Sequence, residues 1–102
     1  MNNQALQAMI DEFGERICII IFDNESKVYV GYESSTMKSI KDLKLRTIGG
    51  VDMVGIPKES SNPKLRREGV TSTSWHPTEC IQCVCALDEG FEKYRIDPME
   101  MG

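Results

Sequence analysis

His76-Pro77-Thr78-Glu79-Cys80-Ile81-Gln82-Cys83-Val84-Cys85 places one imidazole and three thiols within ten residues, as many donors as a tetrahedral zinc site takes. Structural zinc sites usually join two separated knuckles of two ligands each, and the chain has no second knuckle. A strand through this stretch also sends Cys83 and Cys85 to one face and Cys80 to the other, which opposes convergence. The cysteines are therefore read as ordinary buried thiols with no metal or cofactor, the alternative being a small zinc-stabilised domain held by His76, Cys80, Cys83 and Cys85. A thiol nucleophile paired with His76 is the one catalytic option, and it lacks an orienting third group. There is no Gly-rich phosphate loop ending in Lys-Ser/Thr, no Gly-x-Ser-x-Gly elbow and no His-Glu-x-x-His, so the chain is read as non-enzymatic. The acid pairs Asp11-Glu12 and Asp88-Glu89 adjoin turns or helix ends, where solvated surface is the expectation.

A second set of residues suits binding. Lys38, Lys41, Lys44 and Arg46 are followed by Lys58, Lys64, Arg66 and Arg67, with Trp75 just beyond. Arginine presents forked donors to phosphate, and an indole presents a stacking face to a base. Arg46, Lys58, Lys64, Arg66, Arg67 and Trp75 are thus the predicted anion-binding residues. The net charge of −4 conceals a segregation: residues 1–25 carry −4, residues 26–67 carry +5 and residues 68–102 carry −5. Overall acidity argues against non-specific duplex binding, which wants a basic surface throughout.

The elements that must position these residues follow from periodicity. Leu6, Met9, Ile10 and Phe13 recur at helical spacing before Gly14, which predicts a helix over 3–13. The run Ile17 to Phe22 is almost unbroken in apolarity and β-branched, as in a covered strand; residues 23–26 are turn chemistry. Strands are predicted over about 16–22, 27–33, 43–48, 51–56, 80–87 and 91–96, with Gly49-Gly50 turning one hairpin and Asp88-Glu89-Gly90 another. Residues 57–74, with Pro57, Pro63, Asn62 and Gly69, read as one long loop. The expected fold is α+β: an N-terminal helix followed by about six antiparallel strands in sequential hairpins, forming a strongly bent sheet or half-open small barrel.

At 102 residues the chain has room for a single domain over 1–102, and 40% hydrophobic with 27% charged residues is ordinary globular usage. The longest strongly apolar run, Ile17 to Phe22, is six residues, against roughly 20 for a helical membrane span. The N-terminus shows no basic region followed by an apolar one, so a cytoplasmic location with reduced thiols is expected.

The order of helix, strand with an Asp-containing turn, strand bearing Gly31, and strand pair with Gly55-Ile56 resembles the Sm-like RNA-binding proteins over about residues 3–57. Those families share an Asp and a Met-Asn pair just after the second strand. Here the region reads Ser34-Ser35-Thr36-Met37-Lys38, without that Asp or Asn, so the resemblance is one of architecture and assigns no family. The expected function is a small regulatory binding module that engages an anionic partner, a nucleotide or nucleic acid, through the basic loop. The alternative is a protein–protein interaction module, such as a small inhibitor or a homo-oligomer assembly subunit, a role that also suits a phage regulator.

Overall fold

Asn2 opens the first helix by accepting the Ala5 N–H on its side chain at 2.8 Å, which satisfies one of the donors a helix start leaves free. This helix, α1 (Asn3–Phe13), has the predicted bounds and stops at Gly14, whose φ of 52° takes the chain out of the helix. The structure, a computed structural model, describes residues 1–100. Leu6 is fully buried, and Ile10 and Phe13 pack beside it, so the apolar stripe docks as its spacing demands.

Two three-stranded antiparallel sheets follow. In the first, β1 (Ile17–Phe22) lies between β2 (Lys27–Tyr29) and β6 (Ile81–Ala86). The central position explains the apolar run: Cys18, Ile20 and Phe22 are buried on one face, and Ile19 and Ile21 are half-covered on the other. In the second sheet, β4 (Val51–Glu59) lies between β3 (Lys44–Ile48) and β5 (Thr71–Pro77). Gly49 and Gly50 turn the β3–β4 hairpin with φ of 58° and 79°, the two positive angles a two-residue turn of the favoured hand requires. The core cluster draws Leu6 from α1, Ile17, Ile20 and Phe22 from β1, Val54 and Ile56 from β4, and Ile81 from β6, together with Val30, Met37, Ile40 and Leu43 from the connection. The sheets do not close into a barrel. Among the described residues no helix is long and apolar enough to cross a membrane.

Three predicted elements are corrected. Residues 57–74 are mostly ordered secondary structure and not one loop: β4 runs on to Glu59, a short helix α2 (Pro63–Arg67) follows, and β5 begins at Thr71. Pro57 does not end β4, because β3 stops opposite Gly55 and leaves β4 with a free edge, where a proline is tolerated. Asn62 caps α2 through the Lys64 N–H at 2.9 Å with Pro63 at its first position. The strand predicted over 27–33 ends at Tyr29. Gly31 adopts φ 85° and turns the chain, leaving only an isolated parallel bridge between Val30 and Met37.

The strand predicted over 91–96 is absent; Glu92–Tyr94 is a single 3₁₀ turn. Arg95 explains the difference. Its guanidinium donates to the Val30 carbonyl at 3.2 Å, the Glu15 carbonyl at 2.6 Å and the Ile17 carbonyl at 3.5 Å, so this segment is fixed to the body by a side chain instead of a ladder. Asp97 holds it again, accepting from the Ser34 N–H at 3.0 Å and from the Ser34 hydroxyl.

Candidate functional site

Alternation along β3, β4 and β5 sorts their side chains onto two faces. Leu45, Val54 and His76 lie in one cross-strand row of the inner face, whereas Lys44, Gly55 and Trp75 form a row of the outer face, next to Arg46, Met53 and Pro77. Gly55 makes room for the indole. A β-carbon there would lie 2.7 Å from Cζ3 of Trp75 and 2.8 Å from the Thr73 methyl, so the ring rests on bare backbone. The Arg46 guanidinium sits 5.5 Å from the centre of the Trp75 ring, within cation–π range, and Lys44 donates to the Thr73 hydroxyl at 3.2 Å. Ile48 and Val51, 50% and 45% exposed at the hairpin end, extend the surface with apolar area. This outer face offers an aromatic plane, a forked cation and a point cation to the solvent.

Of the six predicted anion-binding residues, only Arg46 and Trp75 meet. Lys58 belongs to the inner-face set with Val54 and Ile56 and lines a groove of about 360 Å³ between the sheets, together with Lys27, Tyr29, Ser74 and His76. Lys64, Arg66 and Arg67 are exposed on α2, beyond the start of β5. From Thr71 to Trp75 is four residues of strand, about 13 Å, so the α2 cations can only continue a track that starts at Trp75. Lys44, part of the basic stretch but not of the chosen six, completes the face with Gly55 and Thr73, which the sequence reading did not single out as site residues. Their signal was the alternation of Thr71-Ser72-Thr73-Ser74-Trp75, hidden because a strand with a polar outer face carries little apolarity.

The His76 and thiol cluster does not assemble. The His76 ring packs 5.0 Å from that of Phe22, Cys80 ends a 3₁₀ turn, and Cys83 and Cys85 lie on β6 in the other sheet. Among the described residues no three His, Cys, Asp or Glu side chains are placed to hold a metal ion. All four cysteines are free thiols, but the expectation that they are buried is corrected: only Cys18 is buried, Cys80 and Cys85 are half-buried and Cys83 is exposed at the sheet edge. Cys83 and Cys85 do meet, with sulfurs 3.7 Å apart, and burial followed by the Cys83 hydrogen bond pushes the Cys85 thiol up from its ordinary value.

A hollow of about 760 Å³ beneath the C-terminal segment has the wrong sign for an anion. Glu15, Glu33, Glu92, Asp97 and Glu100 line it against Arg16 and Arg95, and the Arg95 guanidinium is already bonded to three carbonyls. Burial raises the Tyr32 phenol here, with Cys18 adding to it, and the Ser34 hydroxyl's hydrogen bond lowers Asp97. No family model, curated protein or solved structure matches the chain.

Proposed function

We propose that the chain is a non-enzymatic binding module whose outer β3–β4–β5 face takes a phosphate-bearing partner, and that this partner is single-stranded nucleic acid. The observation that carries the reading is Arg46 set against Trp75 on Gly55, with Lys44 in the same row as the indole. An indole on an open sheet face stacks on a base, while the neighbouring cations meet the backbone phosphates. The open face favours a polymer over a free nucleotide, because small ligands are held by concave sites that bury most of their surface. A duplex is disfavoured, since its bases are already stacked and the net charge of −4 repels it outside this patch.

Trp75 is the only tryptophan, so its emission reports directly on the site. Titrating short single-stranded DNA and RNA into the protein at low salt is expected to quench that emission and to weaken steeply as salt is raised. Arg46→Glu should lower affinity at least tenfold, and Arg66→Glu with Arg67→Glu should lower it further only for longer strands. Unchanged emission with every oligonucleotide at low salt would refute the reading.

A second reading, protein–protein interaction, is favoured by one specific feature. Phe91, Tyr94, Ile96 and Met99 are 55%, 63%, 60% and 76% exposed in a segment that Arg95 and Asp97 hold against the body. Pinned, apolar and solvent-facing, that segment suits a protein surface. Sedimentation over a range of concentrations, with Phe91→Ser and Tyr94→Ser for comparison, tests self-association through it; a monomer at every concentration would remove the homo-oligomer form.

A further inference from the structure

Cys83 and Cys85 lie two residues apart on β6, on the face that Ile19 and Ile21 of β1 share, and on the outermost strand of their sheet. Cys83 is exposed and Cys85 half-buried. Their sulfurs are 3.7 Å apart. That separation distinguishes the chemistries open to two thiols.

A disulfide needs sulfurs about 2.05 Å apart and α-carbons no more than about 6.8 Å apart, and two residues of extended strand span roughly that limit already. Closing the bond would draw the sulfurs together from 3.7 Å with the α-carbons at the outer edge of that range, straining β6. A linear two-coordinate ion with bonds of about 2.3 Å would hold its sulfurs roughly 4.6 Å apart, too wide for the pair as it stands. A tetrahedral ion with bonds of the same length sets two sulfurs roughly 3.8 Å apart, which the pair already matches.

We propose that Cys83 and Cys85 form a bidentate site for a thiophilic, tetrahedral divalent cation of the zinc and cadmium class. On binding, each S–H bond breaks, its proton leaves to solvent, and the two thiolates form two sulfur–metal bonds. The two remaining positions are left to water, because among the described residues no third His, Cys, Asp or Glu side chain is placed to join the pair. The site lies in the other sheet from Trp75 and does not depend on the anion-binding proposal.

The test is a titration of the reduced full chain with Cd²⁺, following the thiolate-to-cadmium charge-transfer absorption and the protons released. The expected result is saturation at one Cd²⁺ per chain with two protons released. Cys83→Ser, at an exposed position, should weaken binding at least tenfold, whereas Cys80→Ser should leave it unchanged. Circular dichroism of both variants establishes that they fold. Absence of the band in the parent protein, or its persistence at full affinity in folded Cys83→Ser, would overturn the proposal.

Discussion

The Arg95 guanidinium occupies the space that a β-carbon on Gly31 would need, and it reaches three backbone carbonyls from there. Gly31 also has φ 85°, a left-handed conformation that side chains resist. One position thus meets two requirements, a turn out of β2 and a channel for an arginine from a segment more than sixty residues away.

Gly31→Ala is expected to cost about 1–3 kcal/mol from the backbone alone. It should also expel Arg95. Arg95→Ala strips the donors from carbonyls of Val30, Glu15 and Ile17, for about 1–3 kcal/mol. Because the two side chains compete for one space, the double variant should be less destabilised than the two costs added, by about 1 kcal/mol or more. Urea unfolding of the four proteins measures this coupling, and strict additivity would contradict the geometry.

Asp97 supplies the second tie, and its pH dependence has a defined sign. The hydrogen bonds from Ser34 and from the Met99 N–H favour the carboxylate, so its folded pKa lies below the ordinary aspartate value of 3.8. Its contribution is present above that unfolded value and is lost as the pH falls through the lower folded one. NMR titration of the Asp97 carboxyl should therefore give a midpoint below those of free aspartates, and Ser34→Ala should move it upward. An unshifted midpoint would mean that the tie does not persist in solution.

The helix and both hairpins of the first half, apart from the early end of β2 at Tyr29, were legible because local signals agree there: stripe and terminal glycine in α1, β-branched run in β1, paired glycines before Val51. Two kinds of information were not local. Strand β5 has a solvent-facing side built of Thr71, Thr73 and Trp75, and no apolar alternation announces such an element. Residues 91–96 alternate well, yet the Arg95 guanidinium donates its hydrogen bonds to the carbonyls of Val30, Glu15 and Ile17, which no pattern within 91–96 could reveal. The candidate site suffered likewise: Trp75 and Arg46 could be named as binding types, but their meeting across β4 depends on the Lys44–Gly55–Trp75 register.

That register makes Gly55 a sharp probe of the outer face. Gly55→Ala puts a methyl into contacts of 2.7–2.8 Å with the indole and the Thr73 methyl, so the ring must lift from the sheet. Overpacking of this kind costs about 1–3 kcal/mol. The emission of Trp75 should shift to the red as the ring is exposed, and its contact with Arg46 should weaken. An unaltered spectrum would show that the indole does not rest on Gly55.

Asn3 ties the helix start to three other elements, and its removal should be felt more than its exposure suggests. Its N–H donates to Asp52 at 2.9 Å, its side-chain amide donates to the Arg46 carbonyl at 3.0 Å, and its side-chain oxygen accepts from the fully buried Thr78 hydroxyl at 2.5 Å. Thr78→Val keeps the shape and deletes the donor, leaving the Asn3 oxygen unpaired at a cost of about 1–3 kcal/mol. Thr78→Ser keeps the donor and gives up one methyl, for about 1 kcal/mol. Asn3→Ala breaks both side-chain bonds and should be at least as damaging as Thr78→Val. Thermal or urea unfolding orders the three, and a Thr78→Val protein as stable as the parent would show that this hydroxyl is not what joins α1 to the turn before β6.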